Sequence, residues 1–345
     1  MSQAGGKKRT VRDSIFRIVG LLVVAGSFAV AWLVMDFQTF RQNPLSIPAN
    51  GLHLVVEPGS TLKSIAGRLE QQQVLRKPVY MVMLARYLRL DARIKAGEFQ
   101  LRPGITPEQL LHQLADGKVI QHTITLIEGE TFAQMMQRVS TDPVLVHRLE
   151  NTDAETVMTA IGYPDLHPEG RFLPETYHFP RGTSDIDYLR RAFREMETFL
   201  QESWQERDED LPLKTSYDAL ILASIVEKET GVVEERPTIA GVFVRRLRKG
   251  MRLQTDPTVI YGMGDSYDGD IRFRDLRQDT PYNTYTRYGL PPTPIAMPGK
   301  DAILAALHPA SGDALYFVAR GDGSHQFSST LEQHNRAVDR YQRKR

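Results

Sequence analysis

The chain of 345 residues contains no cysteine. That removes structural disulfides, thiolate metal sites, a cysteine nucleophile and a lipid-modified N-terminal cysteine from consideration. A cysteine-free chain suits an oxidising compartment without requiring one. An excess of charge of one sign is also lacking. With 42 acidic residues against 43 basic ones, nothing in the overall charge points to nucleic acid as a partner. The balance hides an uneven distribution: Lys7, Lys8, Arg9, Arg12 and Arg17 crowd the N-terminal end against Asp13 alone, so the remainder is slightly acidic. Two catalytic patterns are missing as well. No Gly-x-Ser-x-Gly elbow surrounds Ser224 and no His-Glu-x-x-His occurs, which argues against an anchored peptidase. His308, His325 and His334 are scattered over loops and a terminal helix, where a lone histidine reads as structural, and no metal or other cofactor is expected.

What is present begins with Ile18 to Met35, 18 residues without a charge, at the short end for a membrane-spanning helix. The basic residues before it favour the cytoplasmic side. This gives a cytoplasmic tail over residues 1–17, an anchor over 18–37, and everything after Asp36 outside the cytoplasm. The expected location is therefore the cytoplasmic (inner) membrane, single-pass, N-terminus inside. A cleaved signal peptide is the rival, because Ala29-Val30-Ala31 resembles a processing site; the apolar run continuing to Met35 favours a retained anchor. Residues 38–51 are polar, with Pro44 and Pro48, and read as a linker.

A pattern then recurs. Val55 to Thr61 leads into Leu62 to Leu69, Phe99 to Thr106 into Leu110 to Leu114, and Ile124 to Thr131 into Phe132 to Val139. Each reads as a strand, a glycine turn, a threonine cap and an amphipathic helix. The first unit, with its Pro-Gly, Ser/Thr and Leu-x-x-Ile-Ala order, resembles the LysM type of glycan-binding module. A plain structural βα repeat is the equal alternative, since no aromatic platform for a sugar stands out. Tyr80 and Tyr87, seven apart, read as core. Asp142 to Ile161 reads as helical and charged, Glu169 to Pro180 as an irregular aromatic turn, and Asp185 to Glu206 as a long surface helix with a stripe through Leu189, Ala192, Phe193, Met196 and Leu200.

The most informative stretch is Leu220 to Glu229, an apolar helical run ending in two carboxylates. Leu222, Ile225 and Val226 recur at helical spacing and Glu229 prolongs their stripe, while Glu227 lies ~200° around the helix. Gly231 is placed to end the helix in a left-handed conformation. A carboxylate on an apolar stripe is either paired in the core or kept protonated for chemistry; the bland alternative is a helix end emerging into water. Thr238 to Lys249 follows as a second helix, and Met251 to Thr258 as a polar loop. Loops rich in Gln, Asn, Asp, Thr and Tyr suit an uncharged polyhydroxylated ligand, which asks for hydrogen bonds at its rim and ring faces against its CH groups. Turn packing is the alternative for Tyr282 and Tyr285.

Five motifs stand in order: Ser-Ile-Val-Glu-Lys-Glu-Thr (224–230), Arg-Leu-x-x-Gly-Met-x-Leu-Gln-Thr-Asp-Pro-Thr-Val-x-Tyr-Gly (246–262), Tyr-Asn-Thr-Tyr (282–285), Gly-Leu-Pro-Pro-x-Pro-Ile (289–295) and His-Pro-Ala (308–310). Together they resemble the endolytic murein transglycosylase family, the YceG-like or MltG-type proteins, over roughly residues 18 to 340. The resemblance implies a lytic cut of the β-1,4 bond between N-acetylmuramic acid and N-acetylglucosamine within nascent peptidoglycan, leaving 1,6-anhydro ends and terminating strand growth. It implies Glu229 as catalytic acid and base, with Glu227 as the fallback. Gln254, Asp256, Asn283 and Tyr285 become contact candidates in the cleft, with Gln254 and Asn283 able to assist the charged transition state. Glu169 matches a Glu-Gly-aromatic-x-x-Pro turn of the family, with Arg171 breaking the pattern, and is carried as a further contact candidate. The implied partners are peptidoglycan strands and glycan-polymerising synthases.

The expected fold class is α+β: one transmembrane helix, a LysM-like βα module over 52–120, and a mainly helical catalytic domain with small sheets over 121–345. A strand is expected at Leu315 to Ala319 and a polar helix at Glu332 to Arg345. The rival from another class is a non-catalytic, membrane-anchored scaffold that holds peptidoglycan without cutting it.

Overall fold

The computed structural model describes residues 6–343, with side chains from Phe16 onward. The side chains of Lys7, Lys8, Arg9 and Arg12 and the terminal Lys344 and Arg345 lie outside what is described. About half the chain is helical, and the described residues form three two-stranded sheets. The first helix, α1 (Gly6–Gln42), has a stretch from Phe16 whose apolar side chains find no protein cover, compatible with a single-pass membrane anchor. It does not stop where the polar linker was expected. Lys77 and the Tyr80 hydroxyl donate to Asp36, Phe37 and Phe40 meet the Tyr80 ring edge-on, and Arg41 makes two bonds to Glu108. These contacts hold the last turns helical through Gln42.

The chain forms two compact units, the first through Gln121 and the second from His122. In the first, β1 (Leu52–Val56), α2 (Leu62–Gln71), α3 (Pro78–Tyr87), β2 (Gly97–Leu101) and α4 (Pro107–Asp116) follow α1. β1 and β2 pair antiparallel, with Leu52 opposite Leu101 and Val56 opposite Gly97. The alternation of the strands turns Leu54, Val56, Phe99 and Leu101 onto Ile65, Leu69, Leu84, Leu110 and Leu114. Tyr87 is not core: it is 70% exposed. The buried face of α3 runs through Met81, Leu84 and Ala85, and both tyrosines sit about 100° from Met81, at its edge. The α1 rings cover Tyr80, whereas Tyr87, two turns on, lacks such cover.

The second unit contains β3 (Gln121–Thr125), α5 (Phe132–Ser140), α6 (Ala154–Ile161), β4 (Thr176–Pro180), α7 (Asp185–Gln205), α8 (Ser216–Glu229), α9 (Arg236–Arg248), α10 (Asp256–Met263), α11 (Phe273–Arg277), α12 (Lys300–Leu307), β5 (Tyr316–Ala319), β6 (His325–Ser328) and α13 (Leu331–Tyr341). β3 pairs with β4, and β5 runs antiparallel to β6. In the three recurring βα units Thr61, Thr106 and Thr131 each accept a backbone N–H in the first turn of α2, α4 and α5, stabilising each helix start by about 1 kcal/mol. Two expectations fail on local chemistry. Asp142 spends its carboxylate on the N–H groups of Val144 and Leu145, and Val146 bridges to Ser184, so helix begins only at Ala154. Thr176 to Pro180, expected as turn, is a strand whose Tyr177 and Phe179 enter one core while the residues between face out.

Candidate active site

α8 lies at the centre of the second unit. Thr215 and Asp218 close a capping box at its start, and every side chain from Ala219 to Val226 is buried, among neighbours that include α7, α9, α10 and α12. The expected apolar stripe is therefore part of a helix covered on all sides. Ser224 serves as a bolt in it: its hydroxyl donates to the Ile221 carbonyl and accepts the Ile295 N–H, fastening the Pro-rich segment to the helix.

At the end of α8 three consecutive side chains leave in three directions. Glu227 accepts from Arg236 Nη2 at 2.8 Å and from the Gly299 N–H at 3.0 Å, both charged side chains being only 6% exposed. Lys228 donates to the Gly129 carbonyl at 3.0 Å. Glu229 turns to a pocket of about 530 Å³ and accepts a bond from the Thr255 hydroxyl. The helix ends without glycine geometry: Thr230 is extended, with φ −146° and ψ 135°, and its hydroxyl accepts the Val232 N–H, while Gly231 keeps a negative-side φ.

Burial is the main force on Glu229, pushing its pKa up to about 7; the Thr255 bond opposes it, the charge of Asp256 adds to it, and His325 and Arg246 pull it down. Glu227 is also raised by burial, but its Gly299 and Arg236 contacts favour the charged form. It is a structural ion pair, not a group free to exchange protons with a ligand.

The pocket draws on distant parts of the sequence. Gln254 and Asp256 stand on its rim, the Tyr285 hydroxyl donates to Asp256 at 2.5 Å, and β5, β6 and α13 contribute Tyr316, His325 and His334. Residues 256–258, expected in a loop, form the first turn of α10 behind the cap residue Thr255. Pro257 suits that turn, where a missing N–H costs nothing. Gln254 holds φ +51°, an uncommon conformation for a side-chain-bearing residue, and its N–H donates to the Thr284 carbonyl. That backbone turn presents Gln254 outward and Thr255 inward.

Two candidates lie elsewhere. Asn283 is 1% exposed; its amide donates to the carbonyls of Asp275, Leu276 and Gln278 and its oxygen accepts the Tyr285 N–H. With its polar atoms spent on backbone, it shapes the loop that carries Tyr285 and has nothing left for a sugar. Glu169 is buried between α5 and α10, accepting the Phe132 N–H and the Tyr261 hydroxyl, both at 2.9 Å. Burial raises its pKa to about 7 as well, so a raised carboxyl alone does not mark the site; the open pocket beside Glu229 does. Size does not mark it either, since a groove of about 760 Å³ runs along α4 in the first unit with Asp116 as its only carboxylate.

Arg246, Thr255 and His325 were missed as pocket residues. Arg246 donates to the Leu315 and Leu253 carbonyls and stacks on Tyr316, tying β5 to the Glu229 loop. The Arg246 and Thr255 positions lie inside the motif 246–262, which was a signal; His325 had none, because only the β5–β6 pairing brings it here.

The fold has a counterpart among solved structures, and the sequence has relatives of known family. Residues 54–340 match the YceG-like family, and the chain belongs to it. Over 309 residues it is 30% identical to the endolytic murein transglycosylase of Bacillus subtilis, covering 84% of each chain. Over 344 residues it is 28% identical to the endolytic murein transglycosylase of Streptococcus pneumoniae strain R6, covering 88% of this chain and 61% of that one, so the chain spans less than two thirds of the pneumococcal relative. The crystal structure of a YceG-like protein from Listeria monocytogenes superposes with a TM-score of 0.52 at 29% identity, covering 84% of this chain and all of that one.

Proposed function

We propose that this protein is an endolytic lytic transglycosylase of peptidoglycan, with Glu229 as its catalytic acid and base. The observation that carries the reading is a single carboxyl raised to about 7 at the wall of an open, hydrogen-bonding pocket. Most glycosidases pair two carboxylates, one of them acting on water or as nucleophile. A lytic enzyme needs one, because the substrate brings its own nucleophile. Protonated Glu229 donates to the glycosidic oxygen as the bond to C1 of the muramoyl residue breaks. As carboxylate it takes the proton from that residue's C6 hydroxyl, whose oxygen bonds to C1 and closes the 1,6-anhydro ring. Water is not consumed, and Glu229 ends as it began.

Gln254, Asp256 and Tyr285 are the proposed glycan contacts, the amide and phenol offering neutral hydrogen bonds at the rim. Asn283 and Glu169 act behind them as supports. Membership of the YceG-like family and two relatives bearing the transglycosylase name support the assignment of substrate. We read residues 18–37 as a retained inner-membrane anchor with the N-terminus inside, residues 1–17 as its cytoplasmic tail and 38–51 as the linker, trimmed by the helix that reaches Gln42. Residues 121–345 are then the extracytoplasmic catalytic domain. Residues 52–120 are read as a LysM-like module; β1 and β2, paired around α2 and α3 on their own core, support that reading. Glycan-polymerising synthases are the protein partners it implies.

The test uses the full-length chain in detergent with purified uncrosslinked glycan strands, product ends being identified by mass. The wild type shortens strands and leaves 1,6-anhydro ends, and Glu229→Gln, still folded, does neither. Anhydro ends released by that variant refute the role of Glu229. Strands bound but never shortened by the wild type establish the scaffold reading instead.

A further inference from the structure

His325 and Glu235 form a second proton-bearing element at the same pocket. Glu235 ends the short 3-10 turn Val233–Glu235 that joins α8 to α9, and His325 opens β6. The carboxylate grips the histidine twice: Oε1 accepts its backbone N–H at 2.9 Å, and Oε2 lies 2.7 Å from ring Nδ1. Both side chains are largely covered, 11% and 17% exposed. The ring is wedged edge-on against Phe317 at 5.4 Å, with Phe327 on another side. A carboxylate at Nδ1 fixes the tautomer, so the neutral ring carries its proton there and offers Nε2 as an acceptor. Among the described residues no protein group bonds Nε2, and His325 lines the pocket with Glu229.

We infer that His325, held by Glu235, is a substrate-contacting residue that accepts a hydrogen bond at Nε2 from a hydroxyl of the bound glycan and works only as the neutral imidazole. Glu235 is its positioning residue. The inference rests on the lytic reading of Glu229 and divides the protonation demands of the pocket: Glu229 must hold a proton while His325 must not. An imidazolium would lose the acceptor and would also set a positive charge beside a sugar becoming cationic at C1. Besides Glu229, the titratable and charged groups that line the pocket with the ring are Arg246, Asp256, Tyr285, Tyr316 and His334. Arg246 is committed to carbonyls, which leaves Glu235 as the carboxylate bonded to the imidazole.

The experiment measures kcat/KM across pH for the full-length chain on uncrosslinked glycan strands, alongside His325→Gln, His325→Leu, Glu235→Gln and Glu235→Ala. The wild-type alkaline limb follows the Glu229 proton. At the pH of peak activity His325→Gln, which retains an acceptor, should keep more than about a tenth of wild-type kcat/KM, whereas His325→Leu, which has none, should lose about a hundredfold. Glu235→Gln can still accept from the Nδ1–H and should keep most of the activity, whereas Glu235→Ala leaves the ring unheld and should lose about tenfold. Equal activity in His325→Gln and His325→Leu, or wild-type activity in Glu235→Ala, overturns the inference. Product ends read by mass report separately on Glu229: a wild type that makes no anhydro product sinks that reading without reference to the His325 variants.

Discussion

If Glu229 is held against its ionisation, replacing it should stabilise the fold, and by an amount that grows with pH. Burial raises its pKa from 4.5 to about 7. The sign follows from linkage. The unfolded chain loses the Glu229 proton first, so the neutral carboxyl's full advantage to the folded state is present below about pH 4.5 and is lost as pH rises through about 7. At about 1.4 kcal/mol per pKa unit the whole effect is about 3 kcal/mol, and about 2.5 kcal/mol of it falls between pH 5 and pH 8. Glutamine has no such dependence. The stability of Glu229→Gln minus that of the wild type should therefore rise by about 2 kcal/mol over that interval, allowing for water entering from the pocket. Trp204 on α7 reports on the second unit, and Trp32→Phe silences the chain's other tryptophan. Urea titrations of both proteins in that background, in detergent and followed by fluorescence, give the comparison. A difference that stays constant from pH 5 to pH 8 would mean that Glu229 titrates as an ordinary surface carboxylate, and the acid step would lose its physical basis.

Thr255→Val removes the hydroxyl that favours the Glu229 carboxylate and leaves α10 its start, since that hydroxyl makes no capping bond. The alkaline limb of the cleavage profile should move up by about one pH unit, worth about 1.4 kcal/mol; a limb that stays or moves down contradicts the assignment. Asn283→Ala strands three carbonyls and the Tyr285 N–H, so stability should fall by about 2 to 3 kcal/mol while KM for strands changes less than about twofold in the folded fraction. A large rise in KM at unchanged stability would return Asn283 to the list of glycan contacts. Arg236→Met leaves the Glu227 carboxylate buried without its cation, at a cost of about 3 kcal/mol or more, and adding Glu227→Gln should recover much of it; denaturation of the single and double variants makes the comparison.

Elements with local causes were legible in the sequence. The helices behind Thr61, Thr106 and Thr131 announce themselves, because cap, glycine turn and apolar period all lie within a dozen residues. α7 shows its buried face through Leu189, Ala192, Phe193, Met196 and Leu200. What could not be read were causes acting at a distance. Nothing near Gln42 says that Glu108 and Lys77 will hold the end of α1, and nothing near His325 says that Glu235, 90 positions earlier, will orient its ring. Asn283 misled for a related reason. An exposed-looking polar residue among tyrosines suits a sugar, but a side-chain amide can also replace a missing β-ladder for its own loop, and here it does.

The same distinction separates the two glutamates of α8. Sequence periodicity set them on different faces, yet in a helix buried all round that difference would decide nothing by itself. It decides something because the helix ends there. Position 227 meets Arg236 and the start of α12, position 228 meets the βα loop at Gly129, and position 229 meets open space lined by Thr255 and Asp256. The first two contacts fix the azimuth of the last turn, and that azimuth aims the third side chain. A slip of one residue in α8 would turn each side chain by about 100°, placing a lysine against Arg236 and a buried acid against a carbonyl. Rigidity at 227 and 228 is therefore what lets residue 229 be a carboxyl in a pocket that discourages its charge, and a variant that loosens the Arg236 pair should degrade cleavage as well as stability.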